Sequence, residues 1–180
     1  MRRWFLHSFS VVIVLITLIA AWRIMSTTFD LAVIYATDED DGPLQEIYLW
    51  RIRNLESCPS LDSSSPESPT GYVVNAYNMP NTDNAKVFEV LAILIDIGCD
   101  INARNSFGGV PLHNPVMAGE IQMVRFLLRN GADPFLRFEG NERNSHLSGL
   151  NSFQLAQLTQ EKMGRNTEVI GLLREYEDGI

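Results

Sequence analysis

Apolar side chains are spread very unevenly along this chain. From Trp4 to Trp22 they run for 19 residues without a charge, broken only by His7, Ser8, Ser10 and Thr17. From Leu55 to Thr70 they almost vanish into Ser and Pro around Cys58, so no regular element is expected there. Elsewhere they recur in short bursts that read as helices. Phe29 to Tyr35 and Pro43 to Arg53 form one such pair, joined by Thr37 to Gly42. A helix near Tyr72 to Asn78 is followed by another over Asp83 to Ile97. The pattern predicts an all-α protein of helix–turn–helix units.

Two of those bursts are copies of one pattern. Ile95-Asp96-Ile97-Gly98-Cys99-Asp100 and Leu128-Arg129-Asn130-Gly131-Ala132-Asp133 lie 33 residues apart, and Leu91, Ile93 and Leu94 match Val124, Phe126 and Leu127. Each copy is an apolar helix ended by glycine, where a left-handed backbone costs least, and an Asp then shapes the turn.

The central copy continues as Gly108-Gly109-Val110-Pro111-Leu112-His113-Asn114-Pro115, then Gly119, then Met123 to Leu128, then Gly131-Ala132-Asp133. With Ile101-Asn102-Ala103-Arg104 ahead of it, this resembles the ankyrin repeat. It departs at Val110, where the family has Thr, and at Pro115, where it has Ala. Pro115 falls inside the expected first helix and is expected to remove a backbone bond and kink it. A weaker copy runs from Gly149 to Ala156 and Val169 to Leu173. Gly108 and Gly149 are 41 residues apart, which places eight surplus residues in the turn 135–148. A further surplus of five, around Lys162 to Glu168, is expected to lengthen the turn between the last two helices. The resemblance implies an ankyrin-repeat solenoid with extended turns, a binding scaffold without catalytic function. The chain divides into a membrane or signal segment (1–25), a helical capping repeat (26–54), a Ser/Pro-rich linker or loop (55–70) and the ankyrin repeats (71–180).

Composition fits this picture. The 180 residues are 46% hydrophobic and 20% charged, enough for one domain with a core. Arg2, Arg3 and Arg23 are the only charges in the first 23 residues, and beyond them 11 basic face 22 acidic side chains. So acidic a body excludes nucleic-acid phosphate as a ligand and suits a basic partner.

The first segment is close to the roughly 20 residues a helix needs to span a bilayer. Positive charge before it predicts a cytoplasmic N-terminus and an exported body. Two readings stand: a single-pass anchor through residues 4–22 of a bacterial inner membrane with the body in the periplasm, or a signal peptide whose cleavage leaves a soluble periplasmic protein. Leu18 and Ile19 stand where cleavage wants small residues, which favours the anchor. Arg2-Arg3-Trp4-Phe5-Leu6 also resembles the twin-arginine export signal. None of the 13 asparagines forms an N-x-[ST] acceptor. Cys58 and Cys99 are the only cysteines, and an oxidising compartment would let them pair; the other reading is a free thiol in a linker and a small buried residue.

Catalytic patterns are scarce. His7 lies in the first segment, and His146 has no nearby Cys, Asp or His in sequence. His113 occupies the repeat's structural histidine position, which implies a ring bonded to the neighbouring turn. No His/Cys spacing suits a metal, no nucleophile elbow or phosphate loop occurs, and no cofactor is expected. Asp38-Glu39-Asp40-Asp41 reads as a solvated turn or an acidic contact for a basic partner.

Partner-binding residues are expected in the insertion and the turn beside it. Insertions in solenoids map to one, often binding, face, and aromatic and Arg side chains carry much interface energy. Phe135, Arg137, Phe138, Arg143 and His146, with Asn105 and Phe107 of the adjoining turn, make one candidate ridge; the other reading has the phenylalanines tucked onto the stack. Small periplasmic, membrane-tethered ankyrin proteins resemble immunity proteins that occlude type VI secretion effectors, phospholipases among them. That likeness implies a toxin effector as partner; a structural or assembly role in an envelope complex is the alternative.

Overall fold

A computed structural model describes residues 2–39, 42–61, 65–140, 144–164 and 166–178, and gives only the backbone of residues 2–11 and 178. Helices form it throughout: α1 (Arg2–Met25), α2 (Phe29–Ala36), α3 (Pro43–Arg53), α4 (Pro69–Ala76), α5 (Asn84–Asp96), α6 (His113–Ala118), α7 (Ile121–Arg129), α8 (Ser152–Met163) and α9 (Thr167–Asp178). No strand occurs among the described residues; Asp38 and Thr82 form one isolated antiparallel bridge.

After α1 the helices pair in sequence, α2 with α3, α4 with α5, α6 with α7 and α8 with α9. The pairs stack so that α2, α4, α6 and α8 neighbour one another in turn, with α3 against α5 and α7 against α9. Short helices of this kind cannot bury an apolar stripe alone, so each leans on the next pair. In α7 the stripe is Met123, Val124, Leu127 and Leu128; in α5 it is Val87, Val90, Leu91 and Leu94, all fully buried or nearly so. Each such leucine contributes about 2 kcal/mol through apolar area removed from water. Gly98 and Gly131, the glycines that mark the repeat, both take positive φ, +86° and +93°, at corresponding helix ends.

Local chemistry sets the helix starts. Ser68 accepts a hydrogen bond from the Gly71 amide, and Pro69 follows as the first helical residue. That start brings α4 forward of the Tyr72 expected from the sequence. Asp83 caps α5 through the Ala85 and Lys86 amides, and Asn151 and Gln154 form a reciprocal capping box on α8.

Two sequence expectations are corrected. Pro115 removes no helical bond, because it is the third residue of α6, where backbone N–H groups have no intrahelical acceptor. The last surplus lies mainly in α8, which runs to Met163 and spans 12 residues against six in α6. Gly164 takes a left-handed conformation directly after it, leaving only a short turn before α9.

The Ser/Pro-rich segment is a strap fastened across the stack. Cys58 and Cys99 form a disulfide, 41 residues apart in sequence. Leu55 and Leu61 pack on the core, and the Ser106 amide donates to the Pro66 carbonyl at 2.7 Å. A closure of that length removes chain entropy from the unfolded state worth about 4 kcal/mol. Replacing the exposed half, Cys58→Ser, is expected to lower unfolding stability by about that amount. Urea titration of the detergent-solubilised chain checks it; an unchanged midpoint would show that the bond contributes nothing.

α1 stands apart from this packing. From Val12 onward its side chains are exposed except Ile24. Among the residues whose side chains are described, no single helix is long and apolar enough to cross a membrane. Val12–Met25 and Phe29–Ala36 meet that length and hydropathy only together, and they are bent by 103°.

Candidate functional site

Three turns project between the helix pairs: the strap before α4, the 97–112 turn before α6 and the 130–151 turn before α8. Hydrogen bonds join them in series. Asn105 Nδ2 donates to both Glu67 carboxylate oxygens at 3.2 and 3.1 Å, tying the second turn to the strap. Asn105 Oδ1 accepts from the Phe107 and Gly109 amides. Arg104 Nη1 donates to the Gly108 and Arg137 carbonyls at 3.0 and 2.7 Å, and its Nε lies 3.0 Å from Glu139 Oε1. Asn102 reaches the third turn as well, donating to Gly131 O and accepting from Asp133 N.

His113 completes the linkage from below. Its Nδ1 accepts from the Val110 amide at 3.2 Å, so Nε2 carries the proton and donates to Leu136 O at 3.1 Å. One ring thus holds its own turn and the next. The buried imidazole has its pKa lowered to about 4, chiefly by desolvation and further by Arg104, against the opposing pull of the Leu136 carbonyl.

The insertion is pinched shut at its base. The Phe138 amide donates to Leu150 O at 2.8 Å, and the Gly149 amide donates to Phe138 O at 2.7 Å. Ser148 Oγ donates to Glu139 O at 2.9 Å just beyond. Among the described residues of the insertion, Ser145–Leu147 form one 3-10 turn.

This geometry breaks up the ridge expected from the sequence. Phe138 is only 5% exposed, its ring stacked on His113 with centroids 5.5 Å apart, so it cannot reach a partner. A methyl at Gly109 would lie 2.9 Å from that ring, which is why glycine stands there. Asn105 is engaged internally and Phe107 is half-buried. Phe135, at 47%, and Arg137 and His146 are exposed, although Arg137 Nη1 already donates to Gly149 O at 2.7 Å. Arg143, Asp40 and Asp41 lie outside the described residues.

A separate concavity lies elsewhere. A cleft of about 630 Å³ opens between α2 and α4, walled by Ile34, Asp38, Glu67, Tyr72, Asn75 and Met79 among others. Ile34 and Met79 are half-exposed, at 50% and 54%. Tyr72 Oη donates to Asp30 O at 3.5 Å, and burial followed by the Asp30 charge raises its phenol pKa. Asp30 lies one turn before Ile34 on the same side of α2, and its buried Oδ1 has no hydrogen-bond partner among the described residues. No local sequence pattern marks this cleft, because its walls come from two helix pairs and the strap.

No group of three or more His, Cys, Asp or Glu side chains that could hold a metal occurs among the described residues. The cleft offers shape, apolar contact and negative charge.

Comparison with known proteins agrees over the central repeat. Residues 107–137 match the family model of the ankyrin repeat. This stretch is similar to an ankyrin repeat. Such repeats bind other proteins and typically do no catalysis. A 45-residue segment is 47% identical to the mouse (Mus musculus) 2-5A-dependent ribonuclease, covering 24% of this chain and 6% of that protein. A 51-residue segment is 35% identical to the ADP-ribosylation factor GTPase-activating protein AGD4 of Arabidopsis thaliana, covering 28% of this chain and 7% of that protein. Among solved structures, the ankyrin repeat domain of Bcl-3, a member of the IkappaB protein family, aligns with a TM-score of 0.48 at 24% identity. That alignment covers 73% of this chain and 45% of the other.

Two outcomes follow from the His113–Phe138 stack. Phe138→Ala is expected to cost about 3–5 kcal/mol, the range for a buried aromatic, rather than to act on binding alone; an unchanged denaturation midpoint would return Phe138 to the surface. The histidine also makes stability pH-dependent. A folded pKa below the unfolded value of 6.5 means its contribution is complete above pH 6.5 and declines as pH falls toward 4. The loss amounts to about 3 kcal/mol at most. Urea midpoints across that window should fall in the native chain and fall less in His113→Gln; parallel profiles would contradict the assignment.

Proposed function

We propose that this chain is a non-enzymatic protein-binding module, held outside the cytoplasm by α1, whose cleft between α2 and α4 receives a basic, apolar-tipped segment of another protein. One observation carries the binding reading: a largely apolar cleft rimmed by Asp38 and Glu67. A net charge of −8 favours encounter with a cationic partner before any contact forms. The Cys58–Cys99 disulfide supports display in an oxidising compartment, since such bonds rarely persist in the cytosol. α1 spans 24 residues, about 36 Å of helix, and so has the length for an anchor.

In its specific form the proposal is an immunity function. The module binds a secreted antibacterial toxin, such as a phospholipase, and occludes its active-site entrance at the periplasmic face of the inner membrane. Tethering concentrates the inhibitor where a lipid-directed toxin must act. A scaffold or assembly role in an envelope complex uses the same cleft and differs in its partner.

Ile34→Asp with Met79→Asp is expected to weaken capture of a phospholipase toxin that the native chain binds at least about tenfold, as loss of apolar anchors does. Helicity should stay unchanged, because both side chains are half-exposed. Cells co-expressing that toxin in the periplasm should survive with the native chain and die with the variant. Protection by the variant equal to native would sink the assignment of the contact to the cleft, and protection by neither would sink the immunity reading; loss of binding in Phe135→Ala alone would move the contact to the insertion.

A further inference from the structure

The first helix pair presents an outer face unlike that of a solenoid end. Terminal repeats ordinarily turn a polar surface to water. Here the outward side chains are Leu31 and Tyr35 of α2 with Leu44, Ile47 and Trp50 of α3, between 37% and 54% exposed. Tyr35 stacks on Tyr48 with ring centroids 4.9 Å apart, which joins the two helices into one apolar surface. Glu46, next to Ile47 in sequence, is drawn toward α5, where it lies 3.4 Å from Lys86.

That surface adjoins the end of α1. Only Ser26, Thr27 and Thr28 separate the helices, a reach of about 10 Å. Arg51 Nη1 donates to the Ile24 carbonyl at 3.1 Å, and Thr27 Oγ1 lies 3.3 Å from Tyr48 Oη, pinning the junction. The 103° bend turns α2 nearly perpendicular to α1. α2 is not a second half of a membrane span, because Phe29, Ala32, Val33 and Ala36 are buried in the solenoid core.

We infer that the outer face of α2 and α3 rests on the bilayer surface, so that the membrane itself caps the solenoid and fixes its orientation. This rests on the reading that α1 is inserted in that bilayer. With α1 along the membrane normal, α2 lies along the surface. Leu31, Leu44 and Ile47 then enter the headgroup–acyl boundary, with Tyr35 and Trp50 at the level that aromatic residues favour. Arg23 and Arg51 flank the face and meet anionic lipid headgroups. An apolar end of this size left in water would instead drive association.

The test uses the full chain in phosphatidylethanolamine–phosphatidylglycerol vesicles carrying lipids brominated at shallow or deep acyl positions. The chain has three tryptophans. Trp4→Phe with Trp22→Phe leaves Trp50 as the sole reporter, and Trp4→Phe with Trp50→Phe leaves Trp22. Shallow bromines are expected to quench Trp50 about twofold and deep ones little, as for a side chain at the interface. Adding Leu31→Glu and Ile47→Glu should abolish the Trp50 quenching and leave the Trp22 reporter quenched. Trp22 quenched with Trp50 silent would overturn the docking while α1 remains an anchor. Both silent would remove the anchor and the docking together. Trp50 quenching that survives the two glutamates, or a concentration-dependent dimer that shields Trp50 from bromine, would assign the face elsewhere.

Discussion

A pair of short helices cannot close a hydrophobic core by itself, and every other feature of this chain follows from that constraint. Each pair must find its missing apolar surface in a neighbour. Leu91 and Leu94 of α5, like Leu127 and Leu128 of α7, are fully buried or nearly so in one continuous core running from Phe29 to Leu173. The helices alone leave the turns free to drift. His113 prevents that by joining Val110 of its own turn to Leu136 of the next, roofed by Phe138. Arg104 and Asn105 extend the joinery to the third turn and the strap.

The two ends of such a stack have no further neighbour, and the N-terminal end departs most from the ordinary solution. Its outer surface is apolar and stands beside a long apolar helix. The disulfide between strap and α5 end stabilises the adjacent region by restricting the unfolded chain, which suits a small domain with limited core. The cleft between α2 and α4 is walled by Ile34, Tyr72 and Met79 together with strap residues such as Glu67.

Where the signal is local, the sequence shows the fold well. Gly98 and Gly131 mark equivalent helix ends because both require positive φ, and the 33-residue spacing follows from that repetition. The α2–α3 pair is legible from its two apolar bursts and the acidic turn. What depends on three dimensions is not. Phe138 is an aromatic in an inserted turn by sequence and the lid of a buried histidine in space. Pro115 is disruptive in a helix interior and harmless at its third residue, a difference of one helix boundary. The strap reads as a linker because its attachments, Ser106 to Pro66 and Asn105 to Glu67, come from residues some 40 positions away. The cleft is invisible for the same reason, its walls meeting only after the pairs stack.

Hydrogen exchange on the full chain, alone and with its captured protein partner, tests the central claim most directly. Binding in the cleft predicts slowed exchange at the amides of Ile34 to Asp38 and of Tyr72 to Thr82, with the tip of the insertion around His146 unchanged. Protection confined to the insertion, with those two segments exchanging as in the free chain, would contradict it.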